Sequence, residues 1–115
     1  MQMREVMHTV FMEDKLNDYI LHLVMATRHP ERYPRLSTLS PLISFGASPR
    51  ASINLARAAK AHAYLEGRAY VIPDDIKAIG KDVLRHRIVL SFEAEAEEIK
   101  SEEIISRILD EIEVP

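Results

Sequence analysis

The sequence predicts a mostly α fold: a small four-helix bundle with a short two-stranded β pairing of residues 42–45 with 88–90. Three observations carry this prediction. Apolar residues recur at the 3.6-residue helical spacing in three separate stretches. A fourth stretch, 49–66, is rich in alanine and lies between a Ser-Pro start and a glycine stop. Two apolar runs, Leu42-Ile43-Ser44-Phe45 and the β-branched Ile88-Val89-Leu90, are too short for helices and read as strands.

A chain of 115 residues suits one domain and can bury roughly two-thirds of the surface of its unfolded form. Hydrophobic residues make up 47%, an ordinary globular share that excludes wholesale disorder. There are no cysteines, so disulfides and thiolate metal sites are ruled out. No apolar run approaches the ~20 residues needed to span a bilayer and no signal-peptide pattern opens the chain, so a cytoplasmic location is expected. The net charge of −3 is unevenly spread. Residues 1–92 hold 13 basic and 9 acidic groups, whereas 93–115 hold 2 and 9. The acidic end argues against nucleic-acid binding, and the mild basic excess elsewhere does not argue for it.

Taken in order, residues 1–11 carry no start signal and read as the tail of something upstream. Leu16, Tyr19, Ile20, Leu23 and Val24 then fall on one helical face. That helix should end near Arg28–His29, because Pro30 drives the residue before it out of the α region. From His29 to Ala47 the spacing predicts an irregular connection, long enough to be functional or partner-bound, with the one short strand inside it.

The helix over 49–66 should open on Ser48 as N-cap, with its hydroxyl accepting from the first turn, and on Pro49 at the first helical position. Gly46 lets the backbone turn before it. The small residues place this helix centrally, with Arg50, Asn54, Arg57, Ala61 and Tyr64 forming one outer stripe. His62 is expected on the core side with Leu55 and Leu65 as a packed histidine, with no metal bound. Gly67 closes the helix. Pro73-Asp74-Asp75 opens the next, with Ile76, Ile79, Gly80, Val83 and Leu84 inward and an end near Arg85. Residues 93–100 read as an acidic loop. Ser101 caps a last helix with Ile104, Ile105, Ile108, Leu109 and Ile112 inward.

Arg50 stands out chemically. A cation in the first turn is disfavoured by the helix dipole, so a guanidinium beside free N–H groups suits a phosphate or carboxylate clamp. The position equally suits a solvated surface arginine, and spacing alone does not separate the two. No phosphate-binding glycine loop and no magnesium-holding acidic motif is present. Arg85-His86-Arg87 reads as a basic helix end complementing the dipole. Nothing in the chain alone assembles a nucleophile, a base and an oxyanion site.

The segments GASPRA (46–51) and AKAHAYLEGRAYVIPDDIKAIGKDVLRHRI (59–88), with YILHLVMATR (19–28) before them, resemble the C-terminal lid of MoxR-family AAA+ ATPases. The ordered motifs cover nearly the whole chain. One departure is Ile72, where the family usually carries a capping Thr or Ser before the proline.

The resemblance implies a single lid domain over 1–115, with 1–11 trailing from an ATPase core and 93–115 forming an acidic segment and C-terminal helix. It implies that ATP and Mg2+ are held mostly by that core, so this chain alone should be inactive and bind no cofactor. It makes Arg50 a sensor-2 arginine, both nucleotide-binding and catalytic, aimed by Gly46, Ser48 and Pro49. It also implies neighbouring subunits in a ring and a client protein to be remodelled. Two rival readings are a freestanding protein-interaction bundle docking through 29–47 and a nucleic-acid module using Arg50, Arg57 and Lys60.

Overall fold

The computed structural model describes residues 10–115. The expectation for residues 1–9, as upstream tail, lies outside that range. Val10 and Phe11 join the domain. The Phe11 N–H donates to the Ala69 carbonyl (2.8 Å) and its carbonyl accepts from Val71 (2.9 Å), forming a parallel bridge to Tyr70.

Helix α1 (Asp14–Arg28) buries Leu16, Tyr19, Ile20, Leu23 and Val24, as the spacing predicts. It stops at His29, whose φ of −137° and ψ of 63° precede Pro30. The connection that follows is more regular than expected. Two 3₁₀ helices, Pro30–Arg32 and Ser37–Leu42, fill nearly half of it, with bonds such as Tyr33 N–H to Pro30 O and Leu39 N–H to Leu36 O. Repeated prolines remove donors that α-helix needs, and short i→i+3 closures tolerate the loss. Leu36 and Leu39 pin the segment into the core.

Strands β1 (Ile43–Phe45) and β2 (Val89–Leu90) pair antiparallel, Ile43 with Leu90 and Phe45 with Val89, with a bulge between. The predicted pairing is present.

Helix α2 (Ala51–Leu65) starts two residues later than expected. Pro49 and Arg50 form a tight turn in which Ser48 O accepts from Ala51 (2.9 Å) and Pro49 O from Ser52 (3.2 Å). No side-chain bond caps this helix, so Ser48 serves through its backbone carbonyl and not its hydroxyl. Ala51, Leu55, Ala59 and Ala63 are buried, and these small side chains allow close packing against α3 (Pro73–Leu84). Leu65 is exposed, contrary to expectation, and His62 only half-buried. The helix ends there: Gly67 takes φ +80°, and the Arg68 N–H bonds back to Ala63 O.

In α3, Ile76, Gly80 and Leu84 are fully buried, with Ile79 and Val83 at the margin. The expected acidic loop at 93–100 contains a short helix, α4 (Phe92–Ala96), because the Ser91 hydroxyl accepts from Ala94 N–H (3.2 Å) and Glu93 favours the first turn. Helix α5 (Ser101–Glu111) has Lys100 as N-cap residue and Ser101 already inside, so the expected serine cap is not formed. Ile104, Ile105, Ile108, Leu109 and Ile112 are buried as predicted.

α1, α2, α3 and α5 thus share one core. One polar atom in it lacks a match: the Tyr19 hydroxyl is buried and finds no partner among the described residues. Desolvation pushes its pKa above the usual tyrosine value. Tyr19→Phe should therefore be neutral or stabilising by up to about 1 kcal/mol, since a buried hydroxyl without a partner costs desolvation. A fall in melting temperature would reveal a partner for the hydroxyl.

Candidate functional site

The turn 46–50 is fastened to the end of α1 before it launches α2. Gly46 passes so close that a Cβ built there would lie 2.3 Å from the Thr27 carbonyl oxygen and 2.6 Å from Arg28 Cα. Both obstacles are backbone and cannot swing aside. Gly46→Ala should consequently cost about 1–3 kcal/mol, read as a lower thermal midpoint. An unchanged midpoint would show that the approach is not constrained.

Ala47 is held at both backbone groups. Its N–H donates to Thr27 Oγ1 (2.9 Å), and its carbonyl accepts from an Arg28 guanidinium nitrogen (3.4 Å). Thr27 is fully buried, and its own hydroxyl donates to Val24 O (2.6 Å). From this anchored residue the chain emerges: Ser48, Pro49 and Arg50 are exposed. Arg50 lies at the mouth of α2 in αR conformation, and its guanidinium makes no hydrogen bond or ion pair among the described residues. Asn54, Arg57, Ala61 and Tyr64 continue its stripe with exposed or half-buried positions. Beside the turn, the cross-strand partners Phe45 and Val89 expose 71% and 53% of their surface, and Phe92 exposes 90%.

A second polar centre sits at the opposite end of α2. Asp75 is fully buried and accepts from His62 Nδ1 (2.6 Å), the Arg68 guanidinium and the Ile72 N–H (2.8 Å). It holds the end of α2, the turn after it and the start of α3 together. The bond to Ile72 supplies the acidic half of a capping box, which offsets the missing Thr or Ser at 72. His62 is therefore a carboxylate partner, with Glu66 a further 3.9 Å from its other nitrogen. Among the described residues no group of three His, Asp or Glu is arranged to hold a metal ion.

The sequence singled out Gly46, Ser48, Pro49 and Arg50, and the structure keeps all four on one turn. It missed Thr27 and Asp75. Asp75 carried a signal, since an acid three residues after a helix N-cap commonly reaches back to it. Thr27 carried none.

A family model described as the AAA lid domain matches residues 36–108. The chain belongs to this family. The match runs from the Leu36 anchor through the turn at 46–50 and into α5, and relatives extend the likeness over the whole chain. Chaperone MoxR1 of Mycobacterium tuberculosis is 40% identical over 115 residues, covering all of this chain and 30% of that protein. Protein MoxR of Methylorubrum extorquens is 35% identical over 89 residues, covering 74% and 26%. The crystal structure of an ATPase candidate from Cytophaga hutchinsonii superposes with a TM-score of 0.93 at 45% identity, covering 97% of this chain and 34% of that one. The lid is thus of the MoxR type, and it spans about a third of the length of the relatives it matches most fully.

Proposed function

We propose that this lid, over its whole length 1–115, serves an AAA+ core in binding and hydrolysing ATP, with Arg50 as the sensor-2 arginine. The observation that carries the reading is an exposed, unpartnered guanidinium at a helix N-terminus, on a turn whose backbone is anchored on both sides. The core would supply the phosphate loop, the magnesium-holding acids and most nucleotide contacts. Arg50 would meet the γ-phosphate, neutralise charge that develops during its transfer and report ATP against ADP to the lid. Gly46, Ser48 and Pro49 aim the arginine and stay out of the chemistry.

Phe45, Val89 and Phe92 support protein contact at the same end, either with the core or with a neighbouring subunit of a ring. The lid swing between nucleotide states would then drive remodelling of a client protein in the cytoplasm. No described helix is long and apolar enough to cross a membrane. ATP turnover by core and lid together, with Arg50 intact and with Arg50→Ala, tests the reading. Unchanged turnover removes Arg50 from it.

A further inference from the structure

We infer that Thr27 is a positioning residue for Arg50, acting through the backbone of Ala47; the inference rests on the sensor reading above. The Thr27 hydroxyl is committed on both sides. Its proton goes to Val24 O (2.6 Å), which fixes the rotamer and leaves a lone pair aimed at the Ala47 N–H (2.9 Å). Thr27 and Ala47 are both fully buried, so no water substitutes for either bond. Gly46, stripped of a Cβ, is what lets the two backbones come this close.

The link onward is short and stiff. Ala47 precedes Ser48, whose carbonyl accepts from Ala51, and Arg50 O accepts from Ile53 (3.1 Å), so 48–53 moves as one unit. A shift of the Ala47 amide is therefore handed to the Arg50 backbone, which sets where its guanidinium can reach. The Arg28 contact to Ala47 O, at 3.4 Å, is the looser of the two holds. Catalytic groups tolerate little displacement, because a misplacement on the order of 1 Å can cost about 10²-fold in rate.

The test uses the ATPase with core and lid together. Thr27→Val keeps the side-chain shape but removes the oxygen. It should lower kcat about 5- to 20-fold with KM for ATP changed less than about twofold, because the lost alignment matters in the transition state. Thr27→Ser, which keeps the hydroxyl, should restore kcat to within about threefold of wild type, and peptide amide exchange at Ala47 should rise only in the valine variant. Thr27→Val combined with Arg50→Ala should be no slower than Arg50→Ala alone, since residues acting as a unit are non-additive.

A purely structural threonine would lower the melting temperature and leave kcat of the folded enzyme untouched. That result, or a valine effect that multiplies fully with Arg50→Ala, overturns the inference while leaving Arg50 as sensor. Unchanged kcat in Arg50→Ala itself overturns both. Should the valine variant not fold, Thr27→Cys, with its longer and weaker sulfur acceptor, should give an intermediate kcat; a wild-type value there overturns the inference equally.

Discussion

On the sensor reading proposed above, Arg50→Ala in core and lid together should lower ATP turnover by about 10²–10³-fold, the range seen when one preorganised donor to developing charge is removed. The same substitution should leave the lid folded. Arg50 is exposed and has no partner among the described residues, so nothing in the core loses a contact. Removing a cation from a helix N-terminus even relieves a dipole penalty. The expected signature is thus a collapse of kcat beside an unchanged or slightly higher melting temperature. Arg50→Lys should recover only part of the loss, since an ammonium offers a point charge in place of the planar fork that matches a phosphate. Wild-type kcat in the alanine variant would exclude the sensor role, and Arg57, on the same stripe, would be the next residue to replace.

The second large effect is expected at Asp75. Its carboxylate is fully buried and accepts from His62, Arg68 and the Ile72 N–H. Asp75→Ala would leave the Arg68 guanidinium half-buried without its partner and strip the cap from α3. Breaking a buried pair by removing one side costs about 3–5 kcal/mol. Arg68 and His62 keep 25% and 30% of their side chains in contact with solvent, so the lower end applies. About 3 kcal/mol in a domain of this size lowers the thermal midpoint by roughly 12 °C. Asp75→Asn should cost less, because the amide oxygen can still accept from Ile72 while the charge is gone. A loss below 1 kcal/mol for the alanine variant, read by thermal or urea unfolding, would mean that water replaces the carboxylate readily.

What could be read from the sequence and what could not follow a physical division. α1, α3 and α5 were legible because burial of one face repeats at the helical period, and each apolar position expected inward on α1 and at α5 is buried. The strand pair was legible because both runs are apolar, rich in β-favouring residues and too short for helices. Caps were legible only roughly. Ser48 and Ser101 look like N-caps, yet at 48 the backbone carbonyl takes the first bond and at 101 the helix has already begun. Ser91 caps α4 inside a run whose charge concealed it. Arg50 was visible through its own local turn. The hydroxyl that holds that turn was not, because Thr27 lies 20 residues from Ala47. At the other end of α2, Asp75 was legible as a cap, but its bond to His62, 13 residues away, was closed only by the folded topology.

These two distant closures fasten opposite ends of one helix. α2 is 15 residues long, about 22 Å, with its first end bolted through Ala47 to α1 and its far end through Asp75 to α3. Mechanically it is a beam pinned at both supports. A pull on Arg50 has no slack to take up by unwinding the helix or sliding it along its neighbours. Under the proposed nucleotide sensing, a pull on Arg50 would therefore reach α1 and α3 together, through the Ala47–Thr27 and His62–Asp75 contacts.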